Sequence, residues 1–209
     1  MSTDFASANL TVGQLNAIVK KLGGHDGAMR FLRDELVVSE RVKRWREVDG
    51  VIYLTVTLDK STAGDKWISR TEKKGNRVEE NYGKPILRSK DFKSSAAGTY
   101  EIVVLKGSLF EDKDRITQNI RAKAKEMNLQ TPLADIACLI REQFTDKEIE
   151  AMGFWWIVAM HEPILSGFRT NLLAAGRRDA GRWLDAYRGF LDHGWGREGG
   201  FAFLAPQVP

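Results

Sequence analysis

Residues 154–160 are Phe154-Trp155-Trp156-Ile157-Val158-Ala159-Met160, and this unbroken apolar run leads directly into His161-Glu162-Pro163. A run this short and this rich in aromatic and β-branched residues is typical of a strand buried on both faces. Because Pro163 cannot donate a ladder hydrogen bond, we expect the strand, over about 154–161, to stop there. His161 and Glu162 are therefore predicted at the carboxyl end of a central strand, where open α/β sheets bind ligands.

Three other segments have the composition of strands, and they are 51–57, 100–105 and 200–204. Helical patterns lie between them, at 65–74, at 114–127, and from Thr131-Pro132 to Phe144. Residues 145–148 form a capping box that predicts one more short helix. This order of elements predicts an α+β fold, or an α/β fold, with a central mixed sheet flanked by helices.

The segment that follows the Trp155-Trp156 strand is predicted to be irregular and then helical. Residues 166–178 are rich in Gly and Arg, which is typical of a linker. Trp183, Tyr187 and Leu191 follow at intervals of four, and this spacing places them on one face of a helix.

The N-terminal region has the pattern of two short helices. Thr11-Val12-Gly13-Gln14 is a capping box, and Gly23-Gly24 ends the helix that it begins. A second helical pattern covers about 26–36. We therefore predict an N-terminal helical hairpin over 1–45 and an α/β body over 46–209.

Composition excludes several classes of protein. Of the 209 residues, 43% are hydrophobic and 29% are charged, as in ordinary globular proteins. The single Cys138 excludes an intramolecular disulfide and any CxxC site. The chain starts without a secretory signal pattern and has no apolar run near the ~20 residues of a membrane span. We expect a cytoplasmic protein with no membrane partner, no cofactor and, since its three histidines are scattered, no metal.

Positive charge is concentrated in one part of the chain. The net charge is +4, but residues 60–93 alone hold ten Lys and Arg against five Asp and Glu, a local charge of +5. Such a stretch is able to follow a phosphate backbone, with Lys73, Lys74 and Arg77 on the phosphates and Trp67 stacked on a base. Our first functional hypothesis is therefore a binding module for nucleic acid or another polyanion.

A second hypothesis is a small-molecule binding protein or an enzyme. His161 and Glu162 have the side chains of a general acid/base pair, although neighbouring strand residues point to opposite faces unless the strand has already ended. Arg182, Trp195 and Arg197 belong to a Gly-rich segment that is able to line a pocket for a planar or sugar-like ligand. The alternatives are a histidine bonded to backbone and an aromatic lid that closes the core, so the sequence leaves catalysis open.

A third hypothesis is a protein-interaction module, since Trp and Phe are abundant near the C-terminus. We rank binding of nucleic acid or another polyanion slightly ahead of the other two hypotheses, because it depends on a charge distribution that is read directly from the sequence.

Several segments resemble a family of uncharacterised bacterial proteins that is common in candidate-phylum bacteria. They are 10–17, 137–142, 150–164 and 200–203, and Met160-His161-Glu162-Pro163 is the most specific of the matching stretches. The resemblance covers most of the chain and implies a bacterial cytoplasmic protein. It implies no activity, cofactor or catalytic residue.

Overall fold

A computed structural model describes residues 10–37, 44–178 and 181–206. The chain falls into two compact units, 1–43 and 44–209. The division lies two residues before the boundary predicted from the sequence.

The N-terminal unit contains two helices, α1 (Val12–Lys21) and α2 (His25–Leu32). The predicted capping box is present at the start of α1: Thr11 Oγ1 accepts from the Gln14 backbone N–H, and Gln14 Oε1 accepts from the Thr11 N–H at 2.8 Å. Gly23 and Gly24 have φ values of 96° and 87°, which only glycine adopts readily, and they separate the helices. That these helices form one packed hairpin stays a prediction.

The larger unit is built on a nine-stranded mixed sheet, which confirms the predicted α+β class. Its strands are β1 (Trp45–Val48), β2 (Val51–Leu58), β3 (Arg77–Val78), β4 (Gly98–Lys106), β5 (Trp156–Ala159), β6 (Ile164–Ser166), β7 (Arg169–Arg178), β8 (Gly181–Arg188) and β9 (Gly199–Leu204). Its helices are α3 (Gly64–Lys73), α4 (Gly83–Arg88), α5 (Thr117–Glu126), α6 (Asp135–Gln143) and α7 (Asp146–Ala151).

The spatial order of the strands is β1-β2-β4-β9-β5-β7-β8-β3, and β6 pairs with β7. The β5–β9 and β3–β8 pairs are parallel, and the other pairs are antiparallel. All four strands expected from the sequence are present, and they are consecutive neighbours in the sheet. β5 is shorter than predicted, because its ladder covers only Trp156–Ala159.

The prediction for the segment after β5 was wrong. Residues 166–178 are not a linker, and Trp183 and Tyr187 do not lie on a helix. Instead β7 and β8 form an antiparallel pair in which Gly176 faces Trp183 and Leu172 faces Tyr187. Residues four apart share one face of a strand as well as one face of a helix, so the aromatic spacing fits both structures.

Two helix starts also differ from the prediction. α6 begins at Asp135 rather than at Thr131-Pro132. The Asp135 carboxylate accepts hydrogen bonds of 2.7 Å from the backbone N–H and the hydroxyl of Ser95, which ties this end of α6 to a loop. α5 begins at Thr117 rather than near 114, because Ile116 is extended and bridges to Gly194.

The sheet has a hydrophobic core on each face. The first core receives side chains from α3, α4, α6 and α7, including the buried Trp67 and Phe144. The second receives α5 and a group of aromatic side chains that includes Trp195 and Phe201. Among the described residues, no helix is long and apolar enough to cross a membrane.

Candidate functional site

His161 lies just past the end of β5 and is only 2% exposed. Its Nε2 accepts a 2.9 Å hydrogen bond from the backbone N–H of Leu173, so the ring proton must be on Nδ1, which donates to the Glu162 carbonyl at 2.6 Å. Burial lowers the pKa of His161 to about 4; the Glu162 carbonyl opposes this shift, and the nearby charge of Arg121 adds to it. The imidazole is therefore neutral at pH 7, and both of its nitrogens are occupied by backbone groups.

Glu162 points into solvent, with its side chain 83% exposed. Its closest described cation is Arg121, whose Nη1 lies 4.0 Å from Oε1. Nη2 of the same arginine donates to the His161 carbonyl at 2.6 Å. His161 and Glu162 thus have separate partners, and in this arrangement they do not form the acid/base pair suggested by the sequence.

His161 and Glu162 nevertheless line the same cleft, at the strand end where the sequence predicts a site. This strand-end cleft has a volume of about 530 Å³. Its other walls include Lys90, Asp91 and Lys93, as well as the apolar residues Pro132, Leu133, Pro163 and Ile164. Lys90 and Lys93, which belong to the basic 60–93 stretch, therefore lie near the end of β5. Because two cations face two carboxylates, the cleft is close to neutral.

The C-terminal candidates do not line the strand-end cleft. Trp195 is buried against Trp156, with ring centroids 5.2 Å apart, and its Nε1 donates to Thr117 Oγ1 at 2.9 Å. Nη2 of Arg182 donates to the carbonyls of Arg141 and Phe144 at 3.0 and 2.9 Å. Arg197 is exposed. Trp195 and Arg182 thus hold the core together, and neither residue lines the strand-end cleft with His161.

The basic stretch is organised around α3. Trp67 on this helix is 0% exposed, which places it out of reach of a stacking base. Arg77 is exposed on β3, with its guanidinium 5.4 Å from the ring centroid of Trp183. Some cations of the stretch have carboxylate partners: Lys84 pairs with Glu72 and Glu80, and Arg88 with Asp65.

Three cations of the basic stretch come together where α3 meets α6. Glu142, on α6, has a side chain that is only 3% exposed, and its carboxylate lies 2.7 Å from Arg70 Nη2 and 2.6 Å from Lys74 Nζ. Burial raises the pKa of Glu142, but the hydrogen bonds from Arg70 and Lys74 outweigh burial and lower the pKa overall. Glu142 is therefore ionised at neutral pH and fixes the two cations in place.

Lys73 lies beside this trio and is exposed. Together with Ser69 these residues line a shallow open groove of about 560 Å³, which we call the α3 groove. Three cations and one carboxylate leave it with a net charge of +2. Lysine and arginine side chains held in this way are suited to contact phosphate oxygens.

Lys73 and Lys74 are among the site residues predicted from the sequence, whereas Arg70 and Glu142 are not. Arg70, Lys73 and Lys74 stand at positions i, i+3 and i+4, which lie on one helix face, so this spacing was a usable signal. No comparable signal in the sequence links Glu142 to them, because it lies about 70 residues further along the chain.

Over the described ranges, no group of three or more His, Cys, Asp or Glu side chains is placed to hold a metal ion. Comparison with protein-family models, curated proteins and solved structures finds no match to this chain.

Proposed function

We propose that this protein binds the phosphate backbone of nucleic acid through the α3 groove. The observation that carries the proposal is the arrangement of Arg70, Lys73 and Lys74 around the single carboxylate of Glu142, which leaves a net charge of +2 on an open surface. When these side chains neutralise backbone phosphates, the small cations condensed on the nucleic acid are released, and their release favours binding.

The proposed contact is with the backbone and not with the bases. Trp67, the aromatic residue on α3, is buried under the helix, and Arg70 lies over its ring at 4.8 Å. Without an exposed stacking platform in the α3 groove, affinity depends on charge and is largely independent of sequence. With about two phosphates contacted, log Kd should change with log salt concentration by a slope of roughly 1.5 to 2.

The test is a fluorescence-anisotropy titration with short single-stranded and duplex oligonucleotides, at low and at physiological salt. Lys73→Glu is the variant of choice, because Lys73 is exposed and is not one of the two cations that contact Glu142. Lys125→Glu is its matched control: it makes the same charge change at an exposed position on α5, which packs on the other face of the sheet.

The proposal predicts salt-dependent binding that Lys73→Glu weakens strongly and Lys125→Glu weakens little. Absence of binding at low salt, or equal losses in the two variants, would retire it. Heparin serves as a comparison polyanion, and heparin binding with no oligonucleotide binding would contradict the assignment to nucleic acid.

A second candidate function is small-molecule binding in the strand-end cleft, which is favoured by its volume of about 530 Å³ and its place at the carboxyl end of β5. In such a site His161, whose two ring nitrogens are bonded to backbone, would form a fixed part of the cleft wall. Lys90 and Lys93 would supply the polar groups that contact the ligand. The test is a ligand screen by NMR, in which hits must be lost in Lys93→Gln and retained in Lys125→Gln.

A further inference from the structure

A small cavity lies at the edge of the sheet where β3 pairs with β8. This edge cavity has a volume of about 160 Å³, and it is lined by Glu72, Asn76, Arg77, Val78, Glu80 and Trp183. None of these residues lines the α3 groove or the strand-end cleft. The edge cavity is therefore separate from both sites described under the proposed function.

Asn76 is the unusual residue of the edge cavity. It is only 3% exposed, and neither Nδ2 nor Oδ1 has a hydrogen-bond partner within the described part of the chain. Its backbone N–H donates to the Thr71 carbonyl at 3.2 Å, which fixes the backbone of Asn76 at the end of α3. The side-chain amide is not part of this hydrogen bond. A buried amide without a partner is destabilising, so some group is expected to satisfy it.

Trp183 brings a second unpartnered group to the same cavity. Its indole N–H is buried and has no acceptor among the described residues. The ring itself is held in place, with the guanidinium groups of Arg77 and Arg178 at 5.4 and 4.7 Å from its centroid. Two residues that line the edge cavity thus carry two unpartnered donors, Asn76 Nδ2 and Trp183 Nε1, and one unpartnered acceptor, Asn76 Oδ1.

The charges around the edge cavity balance. Glu72 and Glu80 both pair with Lys84, at 2.8 and 2.7 Å, and Arg77 supplies a second positive charge. A charged ligand would gain little from such surroundings. The volume is about that of five molecules of liquid water, which accommodates a ligand of a few heavy atoms.

We propose that the edge cavity binds a small neutral ligand through a primary carboxamide. A carboxamide oxygen accepts from Asn76 Nδ2 and Trp183 Nε1, and its NH₂ group donates to Asn76 Oδ1, so one planar group satisfies all three unpartnered atoms. These atoms are closed to bulk water, so the wall of the edge cavity has to move to admit the ligand, and we assign this movement to Arg77, which is exposed and lines the cavity.

The test is an NMR titration that follows the ¹H–¹⁵N signal of the Trp183 indole, assigned by its loss in Trp183→Phe. The probe is acetamide, and acetate of the same size is the control, since it carries a charge and cannot donate to Asn76 Oδ1. The proposal predicts a saturable shift with acetamide, on the order of millimolar affinity for so small a ligand, and a response to acetate at least tenfold weaker.

Asn76→Leu removes both amide atoms and should abolish the acetamide response. Because the amide has no partner within the described part of the chain, this variant should fold, and its unfolding temperature should be similar to that of the wild type. If Asn76→Leu does not fold, Asn76→Asp takes its place and should weaken acetamide binding at least tenfold. A Trp183 signal that does not respond to acetamide would overturn the proposal. So would an acetamide shift that survives in the Asn76 variant.

Discussion

The backbone N–H of Leu173 donates a 2.9 Å hydrogen bond to Nε2 of His161. This bond joins β7 to the segment that leaves β5, at the end of the sheet where the chain turns toward β6. Since the other ring nitrogen is held by the Glu162 carbonyl, the imidazole connects two stretches of backbone as a neutral spacer. His161 thus has a structural role that the sequence alone did not distinguish from a catalytic one.

This role predicts a pH dependence of stability. The pKa of His161 is lowered to about 4 in the folded protein, whereas an unfolded histidine has a pKa of about 6.5. Between these values the unfolded chain binds the extra proton. The stabilising contribution is therefore complete above pH 6.5 and is lost as the pH falls toward 4, by up to about 3 kcal/mol.

Urea unfolding at several pH values between 4 and 7 measures this effect in the wild type and in His161→Gln. Gln retains an acceptor near Nε2 but does not titrate, so the variant should be less stable at pH 7 and should show a flatter pH profile. His25→Gln, at an exposed position, should leave the profile unchanged. Parallel profiles for the wild type and His161→Gln would show that His161 does not titrate as inferred.

Glu142→Gln tests the electrostatics of the α3 groove. The change raises the groove charge from +2 to +3, and one unit charge about 5 Å away is worth about 0.8 kcal/mol in water, or about fourfold in affinity. Oligonucleotide anisotropy at low salt should therefore show tighter binding, even though the variant loses the contacts of Glu142 with Arg70 and Lys74 and is less stable. Binding that is unchanged or weaker in a folded Glu142→Gln variant would place the phosphates elsewhere.

Replacement of Arg141 should lower the free energy of unfolding by a large amount. Its side chain is 0% exposed, it donates to the Gly176 and Phe144 carbonyls at 2.8 Å, and it pairs with Asp146 at 2.9 Å. Burial lowers the pKa of Arg141 to about 10, the charge of Arg182 adds to the shift, and Asp146 opposes it.

Arg141→Met removes these contacts and should lower the free energy of unfolding by about 2–4 kcal/mol, measured by urea denaturation at pH 7. The control is Lys147→Met, at an exposed position on α7, which should change stability by less than about 0.5 kcal/mol. Similar stabilities for the two variants would mean that the contacts of Arg141 add little net stability.

At Gly199, near the centre of the sheet, there is no room for a side chain. A Cβ on Gly199 would overlap the indole ring of Trp156, the residue with which it pairs across β5 and β9. Gly199→Ala should therefore cost about 1–3 kcal/mol or more, because the ring has to move within a packed aromatic cluster.

Gly194→Ala is the matched control for this change. No atom lies within 4 Å of the Cβ that it adds, so it should alter stability by less than about 1 kcal/mol. Urea midpoints at constant m-value separate the two variants. A Gly199→Ala protein as stable as Gly194→Ala would show that the Trp156 ring has room to shift.

Much of the sheet could be predicted because its strands carry their own pattern. In β2, Ile52, Leu54 and Val56 are buried on one face while Thr55 and Thr57 are exposed, which is the period of two that marks a strand. β7 could not be predicted in this way, because Ala174, Ala175 and Gly176 favour strands weakly on their own. Small residues are needed there, since a Cβ on Gly176 would overlap Asp185 of β8.

The candidate site was predictable in its parts but not in its assembly. The position of His161 at a strand end and the charge of the 60–93 stretch followed from local sequence. That Lys90 and Lys93 face His161 across a cleft, or that Glu142 holds Arg70 and Lys74, depends on contacts between segments far apart in the chain. Local patterns do not carry such information.

The place of β9 has a consequence for synthesis of the chain. Residues 199–204 are made after every other described strand, yet they lie between β4 and β5 in the sheet. Without β9, the strands β1-β2-β4 and β5-β7-β8-β3 form two groups with no pairing between them, and β4 and β5 each have an edge without a partner. The nascent protein must keep both edges from pairing with other chains until β9 joins them.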